Sequence, residues 1–228
     1  IDENKKTIYF NYPEKNVEIN YEPIEILYEN SFLIVAFKPP FLLVHNDGNN
    51  QDTLQARING YLQLNGNKYP AQAIHRIDYE TSGLILFCKH PFFQAYCDNN
   101  MQNHTIKKEY IALVDGKTNY KNKKIVSYIA RDRHNAKKMI IHPNGKESIS
   151  IFNTLKNYKD CSLIQVTILT GRKHQIRVQC ASLKHPILND TLYGGKKIDN
   201  TGLLLQSHHI QFNDIDITCP QENRFIRK

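Results

Sequence analysis

His75, Arg76 and Asp78 open the run HRIDYETSGLILF, residues 75–87, which sets a basic pair and an isolated carboxylate just ahead of a small-residue turn and an apolar stretch. A lone carboxylate at a strand edge can act as a nucleophile or as a base. Asp ahead of Thr, Ser or Gly also caps turns through its side-chain oxygen, with no chemistry involved. On this motif alone both readings stand. Arg76, two residues from Asp78, shares its side if the segment is extended.

The rest of the chain is read for elements that would position such a carboxylate. Residues 173–183 have helical spacing, with Ile176, Cys180 and Leu183 on one face and Arg177 one position round from that stripe. Burial in a cleft favours a neutral carboxylic acid, and a neighbouring guanidinium opposes this. Residues 106–114 alternate, so Ile106, Lys108, Tyr110, Ala112 and Val114 share a face of a strand that ends at Asp115-Gly116. Residues 31–37 (SFLIVAF) form a strand stopped by Lys38-Pro39-Pro40, and residues 42–45 resume it. Helical spacing marks 53–64, through Leu54, Ile58, Tyr61 and Leu62. A buried strand over 83–88 leads into a helix that starts at Pro91, where the missing N–H costs nothing, and runs to about 103. Core strands are expected at 148–155 and 162–169, and short last strands at 203–205 and 210–212. Residues 1–22, Tyr/Asn-rich and polar, read as an N-terminal extension laid over the surface or partly disordered, ahead of one main domain over 23–228.

Composition narrows the classes. With 228 residues and 40% hydrophobic content the chain can bury a substantial core. Its apolar runs are strand-sized, short of the roughly 18 residues of a bilayer span, and the first residues lack a signal-peptide layout, so a cytoplasmic protein with no membrane partner is expected. Five cysteines without a CxxC pair suit reduced thiols, and the ten histidines show no HExxH or Cys/His spacing, so no metal is expected. No glycine-rich phosphate loop is present.

The net charge of +8 is unevenly spread. Residues 105–146 carry eleven Lys and Arg against Glu109, Asp115 and Asp132, while the remainder balances. Clustered cations that displace counterions favour a nucleic acid partner. Within this stretch, 125–130 and 138–142 read as a hairpin arm, about 117–146, closed by turns such as Pro143-Asn144-Gly145 and able to grip a duplex.

Taken in order, Phe37-Lys38-Pro39, His75-Arg76-Ile77-Asp78 with Thr81-Ser82-Gly83, Lys108-Glu109-Tyr110 with Gly116, the 169–177 run LTGRKHQIR, and Asn189-Asp190 with Tyr193-Gly194 resemble the RluA-type RNA pseudouridine synthases. The resemblance spans roughly 23–212. It implies an α+β pseudouridine synthase fold, a mixed and largely antiparallel sheet with flanking helices and loops and a central catalytic cleft. It also implies an isomerase that converts specific uridines to pseudouridine in structured RNA, without cofactor or metal. Large-subunit ribosomal RNA is the expected substrate, with transfer RNA or a noncatalytic RNA-binding module as alternatives, and a monomer is expected for lack of an association segment.

By the same resemblance Asp78 is the reacting group, Arg177 its basic partner and Tyr110 the ring that stacks on the target uracil. Leu205 resembles an apolar wall under the base, or is a core leucine. Arg76 fills the gap left by a flipped nucleotide or contacts phosphate, Arg172 and His174 touch phosphate near the cleft, and Lys38 is structural. The chain departs from the family pattern at Phe41, where glycine is common, and at Gln179 and Gln206, where histidine is usual. Cys180 after Gln179 is also unusual.

Overall fold

A computed structural model describes residues 17–48 and 52–227. The first sixteen residues of the expected extension lie outside the described residues. Residues 17–22 lie along a helix, with Asn20 N–H donating to Ala56 O at 2.9 Å and Asn59 Nδ2 to Glu18 O at 3.1 Å.

The strands are β1 (Glu25–Glu29), β2 (Leu33–Lys38), β3 (Gln72–Ala73), β4 (Ser82–Cys88), β5 (Lys107–Asp115), β6 (Lys123–Arg131), β7 (Met139–Ile141), β8 (Lys146–Asn157), β9 (Cys161–Ile168), β10 (Leu205–Phe212) and β11 (Ile215–Thr218). The helices are α1 (Leu54–Leu64), α2 (Pro91–Gln102) and α3 (Gln175–Ser182). One sheet runs in the order β1-β2-β4-β10-β5-β9-β8-β6-β7, with β3 on β4 and β11 on β10. Between named strands only β4 and β10 pair in parallel, and every other pair is antiparallel.

All seven residues of β4 are buried because helices cover both faces there. Ile85 and Phe87 join Ile34 and Ala36 under Leu54, Ile58 and Leu62 of α1. Leu84 and Leu86 face the other way, with Leu33, Val35 and Cys97 of α2. Each buried Leu or Ile side chain contributes about 1.5–3 kcal/mol as an upper estimate. The helix starts are set locally. Thr53 Oγ1 accepts the Ala56 N–H at 3.0 Å, and Pro91 occupies the first turn of α2.

Gly83 has φ +116, and a Cβ there would sit 2.2 Å from the Ser207 carbonyl oxygen. The small residue of the 81–83 turn thus permits the close parallel approach of β10 to β4, where Gln206 pairs with Ser82 and Ser207 with Gly83.

Three expectations change. Residues 42–45 do not resume a strand; apart from a single bridge between Leu43 and Thr53 they form bends, because Pro39 and Pro40 turn the chain out of the sheet. Leu205 and residues 210–212 belong to one strand, β10, which pairs with the following β11, while 203–204 precede it outside the sheet. The expected hairpin of the basic stretch forms, β6 pairing antiparallel with β7, but it does not stand apart from the body as an arm. β6 pairs with β8 from Lys123↔Phe152 to Ile129↔Lys146 and with β7 on its other side, which makes it part of the continuous sheet. Ile129 is buried with Val178 of α3 and Tyr193, which holds this edge against the body of the protein.

Candidate active site

Asp78 sits in the loop between β3 and β4, where its carbonyl accepts the Thr81 N–H at 3.1 Å and closes a turn. Its backbone therefore performs the turn-closing role, and its carboxylate is left for other partners. The side chain is 27% exposed. Arg177 Nη1 donates to Asp78 Oδ2 at 3.0 Å.

The placement of Arg177 follows from the three faces of α3. Successive helical residues turn by about 100°, so Gln175 and Gln179 share a face, Ile176 and Cys180 the next, and Arg177 points away from the glutamines. Gln179 is fully buried and accepts from Ser150 Oγ at 2.8 Å while donating to Ser127 Oγ at 3.0 Å. Gln175 Nε2 donates to Ser150 Oγ at 2.8 Å and to Ile149 O at 3.1 Å. These bonds clamp α3 to β6 and β8, while Ile176 and Cys180 enter the core. Arg177 then meets Asp190, which is 1% exposed, in a two-pronged contact: Nε to Oδ2 at 2.7 Å and Nη2 to Oδ1 at 2.8 Å. The guanidinium also lies 5.1 Å from the centre of the Tyr193 ring. Burial works against its charge, but the Asp190 bonds and the Asp78 charge more than offset this and raise its pKa.

His174 precedes α3 with φ 56 and a side chain only 8% exposed. Its Nδ1 is 2.8 Å from the Tyr193 hydroxyl, which itself accepts the Met139 N–H at 2.8 Å. The phenol proton is then best assigned to His174 Nδ1, with the imidazole proton on Nε2, 3.7 Å from Asp78 Oδ1. Burial pulls the imidazole down to about 4, against the opposing Asp78 charge, so it is neutral at pH 7. Tyr193 draws the ring inward, so the side chain expected to touch phosphate near the cleft lies largely buried at the cavity wall.

A cavity of about 370 Å³ opens beside Asp78, in the size range that holds a small ligand. Asp78, Arg76, Tyr110, Arg172, His174, Arg177 and Leu205 all line it, so the structure brings together every side chain expected to react with or touch the substrate. Tyr110 is 6% exposed on β5, and burial, with the Asp78 charge adding to it, raises its phenol pKa. Leu205 begins β10 directly across from Ala112. Arg76 is exposed, its Nη1 3.5 Å from His45 Nε2. Arg172 is tethered through Nε to Glu147 O at 2.9 Å. A second cavity of about 250 Å³ lies on the other side of Asp78 and shares Arg76, His174 and Arg177 as walls. Among the described residues no group of three or more His, Cys, Asp or Glu could hold a metal ion, and no helix is long and apolar enough to cross a membrane.

A family model described as RNA pseudouridylate synthase matches residues 32–182, a span that runs from β2 through α3 and includes Asp78, Tyr110 and Arg177. The chain belongs to this family. The RNA pseudouridine synthase YhcT of Bacillus subtilis is 36% identical over 178 residues, covering 77% of this chain and 59% of its own length. Ribosomal large subunit pseudouridine synthase C of Buchnera aphidicola is 36% identical over 222 residues, covering 88% of this chain and 68% of its own. This chain thus spans about three-fifths to two-thirds of these relatives. Human RNA pseudouridylate synthase domain containing 1 shares the fold at a TM-score of 0.75 and 21% identity, over 89% of this chain and 85% of that one.

Each departure from the family pattern has a structural setting. Phe41 has φ 63, a left-handed conformation that glycine adopts without strain; here the ring packs edge-on to Tyr79 at 5.8 Å. Gln179 supplies the amide that joins three serines of β6 and β8. Gln206 donates to Pro220 O at 3.1 Å, and its Oε1 is buried with no hydrogen-bond partner. Lys38, expected to be structural, is fully buried. Its Nζ donates to Pro39 O at 2.8 Å, Leu42 O at 2.7 Å and Tyr79 O at 3.1 Å, fastening the Pro39-Pro40 bend to the Asp78 loop. Sequence reasoning assigned no role to Asp190 or Tyr193. Their signal was the place of Asn189-Asp190 and Tyr193-Gly194 after the TGR motif in the ordered set that carries the resemblance.

Proposed function

We propose that this chain is an RNA pseudouridine synthase that isomerises uridine in structured RNA, with large-subunit ribosomal RNA as its substrate and Asp78 as the reacting group. The observation that carries this reading is the Asp78 carboxylate at the cavity wall, oriented by an arginine that Asp190 holds from behind. Isomerisation breaks the N1–C1′ bond, forms C5–C1′, releases a proton from C5 and takes one up at N1, so atoms balance without a co-reactant.

In this reading Arg177 aims the Asp78 carboxylate, and Tyr110 and Leu205 offer flat and apolar walls to the base. Stacking on an aromatic ring is worth about 1–3 kcal/mol and suits a base drawn out of its helix. Tyr110, held as a neutral phenol, provides a stacking face and a donor. Arg76, exposed between the two cavities, contacts phosphate or takes the place of the flipped nucleotide. The cations of β6 and of the turn between β6 and β7 give the RNA backbone a positive rim. Five unpaired thiols suit the reducing cytoplasm.

The test is tritium release from RNA labelled at uridine C5. Asp78→Asn is expected to abolish release while RNA affinity is unchanged; continued release in that variant would remove Asp78 from the chemistry. Pseudouridine mapping in a deletion strain identifies the RNA, and a site lost from transfer RNA alone would replace ribosomal RNA as the substrate.

A further inference from the structure

The deep side of the same cavity carries polar groups that the proposed chemistry leaves unused. Lys108 lies two residues before Tyr110 on the same face of β5 and is 6% exposed. Its Nζ meets Met101 Sδ at 3.4 Å, and among the described residues no carboxylate lies within ion-pair distance of it. Glu109, next in sequence, takes the other face and is bonded by Lys107 at 2.9 Å and Gln165 at 2.7 Å.

Two further groups line the cavity with it. His75 Nε2 accepts the Leu86 N–H at 3.2 Å, which assigns the ring proton to Nδ1, and that atom is buried without a hydrogen-bond partner. Thr81, 1% exposed, has its Oγ1 in the same condition. Burial pulls Lys108 down to about 8 and His75 to about 3, which leaves a charged ammonium and a neutral imidazole at pH 7.

Buried polar groups in folded proteins are normally hydrogen-bonded, because leaving them unpaired is costly. The C-terminal end of α2 offers Lys108 only a partial negative charge. Two buried groups without a hydrogen-bond partner and an ammonium that meets only a thioether sulfur belong to residues lining one cavity, and together they call for a ligand that satisfies them. They sit beside the walls formed by Tyr110 and Leu205, where a planar base would lie, so the ligand edge they meet belongs to that base.

We propose that Lys108, His75 and Thr81 form a base-reading subsite for the hydrogen-bonding edge of the target uracil. Lys108 Nζ and His75 Nδ1 donate to a carbonyl oxygen, and Thr81 Oγ1 accepts the N3–H. The proposal rests on the uridine-isomerase reading and adds to it the means of choosing the base. Uracil presents acceptor, donor, acceptor along this edge. Cytosine presents an acceptor in place of N3–H, which leaves the threonine oxygen unsatisfied, and an amino group in place of O4, which sets donor against donor where O4 is the contacted carbonyl. Reading an extruded base by its pairing edge is the general solution for enzymes that act on flipped nucleotides.

The experiment compares wild type with Lys108→Met on one RNA carrying uridine, 2-thiouridine or 4-thiouridine at the target position. Sulfur is the weaker acceptor. Wild type should lose roughly tenfold in kcat/KM with the sulfur at the contacted carbonyl, the scale of one weakened hydrogen bond. Lys108→Met should be slower on uridine and show no further loss with that sulfur, and Lys108→Gln, which keeps a donor, should retain part of the penalty. A merely structural lysine would leave the sulfur penalty intact. Equal penalties in wild type and Lys108→Met at both carbonyls overturn the subsite while the isomerase reading stands. A wild type that isomerises no RNA overturns both.

Discussion

The two ends of the cavity satisfy their charges in opposite ways. At one end Arg177 is braced by Asp190 and offers its remaining nitrogen to Asp78, so its charge is answered within the chain. At the other end Lys108 faces a thioether, and His75 Nδ1 and Thr81 Oγ1 face nothing. A fully paired network fixes geometry whether or not substrate is present. An unpaired one costs stability until something fills it. The contrast separates groups that hold the site from groups that read what enters it.

The sharpest way to break this contrast is to remove the brace. Asp190→Asn leaves a buried guanidinium without its counter-charge, and breaking a buried pair in this way costs about 3–5 kcal/mol. Urea denaturation should show that loss, together with loss of tritium release as Arg177 drifts from Asp78. A change below about 1 kcal/mol would mean that Asp190 is a surface-like partner and that α3 alone positions the arginine.

Lys108→Met should move stability the other way. It removes a buried ammonium that meets a thioether and no counter-charge, and keeps an apolar side chain of similar length, so the same titration should show a gain of about 1 kcal/mol or no change. A loss as large as that of Asp190→Asn would place Lys108 among the holding groups.

How much of this was legible before the structure depends on the range over which each feature is encoded. The helix starts at Thr53 and Pro91 were readable because a cap is decided within four residues. Asp78 and Arg177 were readable as a pair only through the order of motifs, since 99 positions separate them. Gln179 looked like a lost histidine, because the serines it joins lie 52, 31 and 29 residues earlier. The basic hairpin was legible only in part for a related reason. Local turn signals mark a hairpin, but nothing local states that β6 will also pair with β8 and press Ile129 onto α3. The glycine preference at position 41 became intelligible once its φ of 63 was known.

His174 lies between the two regimes, and pH offers the smallest and finest probe of the contrast. Its imidazole is paired on one side to Tyr193 and stands 3.7 Å from Asp78 on the other, and burial holds it down to about 4. In the unfolded chain it titrates near 6.5. Because the folded value is the lower one, the unfolded chain takes up a proton first as pH falls. The stability that goes with the neutral ring is therefore complete above about 6.5 and is lost progressively down to about 4. His75, held down to about 3, extends the same loss further into acid. Urea titrations between pH 7 and 4.5 should show stability falling with pH, and His174→Gln should flatten that slope by up to one proton. An unchanged slope in His174→Gln would mean that the ring meets water in the folded state, and that the wall it shares with Asp78 is wet.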